Sequence, residues 1–376
     1  ALFLSLGCAL LFAGCGDSTE LSTPASAVAP ATWVAPDPTR LSAKIQSDID
    51  QIMRANRVPG ALVGVYTPQG ELELATGIAD LATGRPASFQ DHSAWRSVTK
   101  SFTVTVVMQL AAEGLIDLDR PISDHLQGVP NGNLITPRHL AGMTSGLADY
   151  SSSQAFINRL IADLTQPFTT EELLSFAFAE GVNFQPGEEY EYSNTNTLVL
   201  EQLAEKVTGV KLPVLFQTRF FTPLAMNSTG YLSGTAFPIP FMHGYSFDSD
   251  IEDFEELISN GTALGGAGAL VGTADDLAVW GRALVAGAFL PMHLHQQRFV
   301  GRVPTNGPEY DRYGLGMGEI RGWWGHTGNG LGYQVAVFSE PSSGSTVVIL
   351  LNATNENSDV PADLFRELLD TLGWPK

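Results

Sequence analysis

The sequence predicts an α+β fold in which one sheet domain is interrupted by a helical insertion. Three observations lead there: strand-like runs near the start, strand-like runs in the last third, and mostly helical patterns between them. The chain has 376 residues, enough for one large or two intimate domains with a substantial core. Apolar residues make up 44% and charged ones 16%, the balance of an ordinary globular protein.

Leu41, Ile45, Ile49 and Ile52 follow helical spacing, and Pro59-Gly60 ends that element. The runs 61–66 and 71–76 read as two strands joined by Pro68-Gln69-Gly70, a hairpin turn. Thr170-Glu171-Glu172 opens a helix with acids in its first turn, where the helix dipole favours them. A second helix runs from Asn196 to Val207 and stops at Gly209, and a third covers 213–221. Strands return at 333–338 and 345–351, separated by Pro341-Ser342-Ser343-Gly344, and residues 363–372 form a final amphipathic helix. The sheet domain is therefore expected over 41–113 and 263–376, with the helical domain over 114–262. No internal repeat, P-loop, G-x-G-x-x-G, H-E-x-x-H or G-x-S-x-G pattern is present.

Residues 1–14 are apolar and uncharged, too short to span a bilayer but suited to the apolar region of a secretion signal. Phe12-Ala13-Gly14-Cys15 resembles a bacterial lipobox, so Cys15 is the expected lipidation site and residues 15–40, rich in Ser, Thr, Ala and Pro, the tether beyond it. Cys8 is an alternative in a poorer context. Both cysteines lie in this segment, so the mature chain is expected to carry neither a disulfide nor a cysteine metal site. The expected location is the cell envelope, anchored to a bacterial membrane. Twenty basic against 40 acidic residues give a net charge of −20, which argues against nucleic acid as a partner.

Chemistry concentrates in three short boxes. In Ser97-Val98-Thr99-Lys100 the hydroxyl and the amine stand three residues apart where an apolar helical pattern begins, so both share one helix face. A serine becomes a nucleophile when a neighbouring base takes its proton, and a lysine can act so once burial lowers its pKa. Phe102, Val104, Val106, Val107 and Leu110 supply an apolar setting. Alone, the pattern also fits a helix start capped by Ser97. Tyr192-Ser193-Asn194 and His326-Thr327-Gly328 each occur once, in order, and change that balance.

Together the boxes resemble the active site of the penicillin-recognising serine hydrolases, which include D-alanyl-D-alanine carboxypeptidases, class C β-lactamases and a set of carboxylesterases. The resemblance covers most of 41–370 and extends to 139–147 and Pro186-Gly187. It implies an antiparallel sheet flanked by helices, an inserted all-helical domain, and a site in the cleft between them. It also implies a Ser97 acyl-enzyme that needs no metal or cofactor. Lys100 or Tyr192 takes the serine proton, and the boxes leave open which. Asn194 is expected to orient Lys100 and meet substrate, and His326 stands where class C enzymes have lysine. Thr327 and Gly328 should receive substrate, and the N–H groups of Ser97 and Asn329 form the oxyanion hole.

D-alanyl-D-alanine carboxypeptidase-like cleavage of peptidoglycan-type peptides leads, with a carboxylesterase close behind and a weak class C-like β-lactamase after it. Expected partners are small peptides or esters, and possible further ones are β-lactams. A non-catalytic binding lipoprotein is the alternative from another class. The deciding residue is Arg321, the nearest arginine after Tyr313-Gly314-Leu315-Gly316, which should hold a terminal carboxylate beside Thr327. If Arg321 points elsewhere, neutral acyl esters become the better substrates. His293 and His295 lack partner carboxylates for a metal, Asp275-Asp276 reads as a helix start, and Trp323-Trp324 as strand packing.

Overall fold

Apolar strands that must be covered on both faces set this architecture. The computed structural model describes residues 33–246, 254–355 and 359–375. The segment expected to be a secretion signal, Cys8, Cys15 and the expected tether as far as residue 32 lie outside them.

Eight strands form one antiparallel sheet: β1 (Gly60–Thr67), β2 (Gly70–Asp80), β3 (Arg85–Pro86), β4 (Arg312–Tyr313), β5 (Gly318–Ile320), β6 (Trp323–Gly330), β7 (Tyr333–Ser339) and β8 (Thr346–Leu351). Their spatial order is β3-β2-β1-β8-β7-β6-β5-β4. The N-terminal hairpin thus joins the C-terminal strands through β1 and β8, with Val63 opposite Ile349. Strands β1, β7 and β8 are buried almost throughout, as expected of central strands covered on both sides. Strand β2 alternates between half-buried and exposed residues over most of its length.

Helices α1 (Ser42–Ala55) and α2 (Thr99–Ala112) precede the helical layer, in which α3 (Gln154–Ala162), α4 (Thr170–Glu180) and α5 (Thr195–Thr208) follow. Helices α6 (Ala274–Val285) and α7 (Val360–Thr371) come after it. Phe365 of α7 stacks on Phe338 at 4.6 Å between ring centroids. Gly281 of α6 sits so close to Val337 that a Cβ there would meet its Cγ2 at 2.6 Å. Val337 and Phe338 are neighbours on β7 and point to opposite faces, so α6 and α7 cover the two sides of the sheet. Nearly all of α2 is buried, its polar residues Lys100, Ser101, Thr103 and Thr105 included, as fits a helix surrounded by other elements. Trp323 packs on Phe365 and Trp374, in keeping with its reading as strand packing.

One expectation needs correction. The stretch up to 262 was expected to be mostly helical, yet among the described residues from 230 on it holds only short strands, loops and the 3₁₀ turn Gly261–Ala263. Gly230–Tyr231 pairs with Leu270–Gly272, and Tyr245–Ser246 pairs with Ala353–Thr354. Pro238, Pro240, Gly234 and Gly244 disfavour helix here, and Phe237 is held by stacking on Tyr333 at 5.6 Å. Residues 213–221 also differ: Leu212–Phe216 is α-helical, and Gln217–Phe221 widens into a π turn.

Candidate active site

Ser97 lies in a 3₁₀ turn, Arg96–Val98, that runs directly into α2. Arg96 just before it has φ 46°, in the left-handed region that a bulky side chain rarely enters. Its guanidinium is anchored, donating to the Leu331 carbonyl at 2.9 Å and lying 5.0 Å from the Tyr333 ring centroid. The neighbouring structure thus holds a strained turn under the serine.

One helical turn on, Lys100 is fully buried and its Nζ is 2.9 Å from Ser97 Oγ. A second bond, also 2.9 Å, runs from Nζ to the carbonyl of Ala267. Burial lowers the lysine to about 7, opposed by the charge of Asp149. A carbonyl can only accept, so Ala267 takes an N–H whichever form the lysine adopts. In the neutral form this leaves the nitrogen lone pair available to Ser97.

Tyr192 completes the group. Its ring centroid is 5.1 Å from Lys100 Nζ, and its buried hydroxyl lies beside that of Ser97. Burial pushes this phenol well above its ordinary range, with Tyr310 adding to the rise and the Ser97 hydroxyl opposing it. At neutral pH Tyr192 is therefore a proton donor, while Lys100 is poised between its two forms.

Asn194 differs from expectation. Its amide donates to Asp149 at 2.9 Å and to Ser151 at 3.0 Å, while Lys100 is held by Ser97 and Ala267. Asn194 thus lines the cleft without orienting the lysine directly.

The third box lies on β6. Strand β5 pairs only with Trp323–Gly325, so the later residues of β6 present an open edge to the Ser97 turn. Thr327, Gly328 and Asn329 line the cleft. A Cβ on Gly328 would stand 2.8 Å from the Ser97 nitrogen and 2.7 Å from Arg96 Cβ, so only glycine allows this approach. Gly328→Ala is expected to lower turnover at least tenfold and to lower the thermal midpoint too, measured by ester hydrolysis and a melt; unchanged turnover would detach β6 from the site.

His326 was expected among the groups facing Ser97; it stands beside Tyr192 and Lys100 without itself lining the cleft. It is fully buried opposite Val337, on the sheet face that α6 covers, with its ring centroid 6.3 Å from that of Tyr192. Its Nδ1 donates to the Thr327 carbonyl, which makes Nε2 the acceptor for the Tyr313 hydroxyl at 3.1 Å. Burial, and then the Lys100 charge, hold the imidazole down at about 3, so it stays neutral. Tyr310 accepts from the Thr327 N–H at 2.8 Å and shares a 2.7 Å bond with its hydroxyl. Tyr310 escaped the sequence reading because an isolated tyrosine carries no spacing signal, and Tyr313 entered it only as the start of the run before Arg321. Ala267 did leave one: Gly265-Gly266-Ala267-Gly268 is a run in which backbone can approach closely.

Arg321 is corrected as well. Its guanidinium bonds Asp370 of α7 at 2.7 Å and the carbonyls of Trp374 and Pro375. It ties the C-terminal helix to the β5–β6 turn and does not line the cleft. The cleft itself has a volume of about 490 Å³, and Tyr150, Phe156, Leu160, Ala263 and Leu264 give it an apolar wall. Among the described residues no group of three or more His, Cys, Asp or Glu is placed to hold a metal ion.

Residues 45–371 match the family described as Beta-lactamase. Esterase EstB of Burkholderia gladioli is 29% identical over 343 residues, covering 82% of this chain and 83% of the esterase. A D-aminopeptidase of Cereibacter sphaeroides is 30% identical over 199 residues, covering 52% of this chain but only 38% of that protein. Among solved structures, a D-stereospecific amidohydrolase from Streptomyces sp. superimposes with a TM-score of 0.75 at 27% identity, covering 89% of this chain and 98% of that one. The D-amino acid amidase of Ochrobactrum anthropi SV3 reaches a TM-score of 0.79 at 23% identity over 89% of this chain and 98% of that one, which speaks to the fold.

Proposed function

The chain belongs to the Beta-lactamase family of serine hydrolases, and on that premise we propose that it cleaves small neutral esters or amides through an acyl-enzyme on Ser97. The observation that carries the reading is the 2.9 Å contact between Ser97 Oγ and a buried lysine lowered to about 7. In this reading neutral Lys100 takes the hydroxyl proton as Ser97 Oγ bonds to the substrate carbonyl carbon. The N–H groups of Ser97 and Asn329 receive the oxyanion. Tyr192 gives its proton to the departing alcohol or amine as the carbonyl–leaving-group bond breaks, and regains one from the Lys100 ammonium. Water then attacks the acyl-serine by the reverse relay, releasing the acid and restoring Ser97.

Support for a neutral substrate comes from Arg321, the expected carboxylate holder, being engaged by Asp370 and the C-terminal carbonyls. The apolar wall of the cleft suits an aliphatic or aromatic acyl group. The esterase relative, matched along most of its length, agrees with this reading, and the amidohydrolase extends it to amides.

Intact-mass spectra after exposure to a short-chain aryl ester are expected to show one added acyl group, located on Ser97 and lost in Ser97→Ala. Labelling that persists at another serine would overturn the nucleophile. A D-Ala-D-Ala peptide and its C-terminal amide should be cleaved no better one than the other. Strong preference for the free acid would restore the carboxypeptidase reading.

A further inference from the structure

A buried carboxylate stands behind the lysine, and the proton relay does not use it. Glu201 is 5% exposed and lies seven residues along α5 from Asn194, two turns further on roughly the same face. Its Oε2 accepts from the N–H of Gly266 at 2.8 Å. Gly266 belongs to the short turn Gly265–Ala267, whose last carbonyl receives Lys100 Nζ at 2.9 Å. The turn lies flat against the carboxylate: a Cβ on Gly265 would be 3.0 Å from Oε2 and one on Gly266 3.1 Å. From the other side, α2 reaches the same peptide through Thr103 Oγ1, which donates to the Gly266 carbonyl at 2.7 Å.

We propose that Glu201 is a positioning residue for Lys100: by holding the Gly266 N–H it aims the Ala267 carbonyl at the amine, and so sets the direction from which the lysine receives the Ser97 proton. The inference rests on the Ser97–Lys100 reading and adds a residue that touches neither substrate nor lysine. Helix α5 then links two parts of the site, Asn194 at its start and the lysine's carbonyl acceptor at its middle. Burial raises the Glu201 carboxyl to about 7, opposed by the Gly266 N–H. Glu205 and Glu171 add to the rise, Lys211 opposes it, and the Tyr231 and Tyr150 phenols feel the carboxylate in turn. A carboxyl in such a place needs a reason beyond packing, because burying an ionisable group is costly.

The test compares Glu201→Gln and Glu201→Leu in the full chain, with a short-chain aryl ester, across roughly pH 5 to 9. The glutamine oxygen still accepts from Gly266, so kcat, KM and the acidic limb of the pH profile should match wild type within about twofold. Leucine removes the acceptor: kcat should fall by about tenfold or more with KM unchanged. Its acidic limb should move to lower pH, since the ammonium loses a well-aimed carbonyl. A folded Glu201→Leu with wild-type kcat and limb overturns the proposal, and so does a glutamine variant that fails as leucine does. Should Glu201→Leu not fold, Thr103→Val strips the turn's other tether and must shift the limb the same way; an unmoved limb overturns the proposal. Absence of any Ser97 acyl group in wild type would instead defeat the parent reading, which the intact-mass experiment detects separately.

Discussion

Lys100→Arg is expected to lower the rate of Ser97 acylation by about 10²- to 10⁴-fold, the usual worth of a positioned acid–base group. The guanidinium retains the positive charge but does not give up its proton at accessible pH, so the base is lost while the cation remains. The wild-type rate should rise with pH through about 7, as the buried ammonium deprotonates. Stopped-flow acylation with an aryl ester measures both effects. Near-normal turnover in Lys100→Arg would show that the base lies elsewhere.

The same lysine should cost stability. Its pKa falls from 10.5 to about 7 on folding, so between those values the unfolded chain binds more protons and stability rises with pH. Lys100→Met should therefore stabilise the protein by a few kcal/mol below about pH 7. The gain should fade by about 1.4 kcal/mol for each step of one in pH, toward pH 10.5. Urea melts at several pH values read this directly. The site then trades stability for a group that exchanges protons near neutrality.

Tyr192→Phe should be nearly as damaging, but selectively. The wild-type phenol remains protonated at neutral pH because burial pushes it well above its ordinary range. Its role is then to donate to the leaving group. An alkyl ester or amide needs that proton and should lose about 10²- to 10⁴-fold, whereas an aryl ester, which departs as a stable phenolate, should lose far less. Equal losses on both substrates would mean that Tyr192 takes the serine proton, reversing the roles of the two residues.

Local features follow from residue order alone. Spacing of three between Ser97 and Lys100 dictates a shared helix face, and the structure has them 2.9 Å apart. Helix ends followed from local signals: α4 opens at Thr170 with Glu171 and Glu172 in its first turn, and Gly209 closes α5 in the left-handed region. The hairpin of β1 and β2, and strands β7 and β8, were legible from apolar runs and turn residues. The three boxes pointed to a serine hydrolase of this family, which the match over residues 45–371 bears out.

Whatever depends on partners distant in the chain was settled by the packing of the layers. Which carbonyl receives Lys100 is set by Ala267, 167 residues away. Whether Arg321 meets substrate or Asp370 is a competition between two carboxylate partners that no local pattern resolves. His326 comes beside Lys100 and Tyr192 because the register with β7 sets it opposite Val337, on the face that α6 covers. Desolvation has the same origin. The lowered lysine and the raised phenol exist because α2, α5 and the Gly265–Ala267 turn exclude water around them, and burial is a property of the assembled layers.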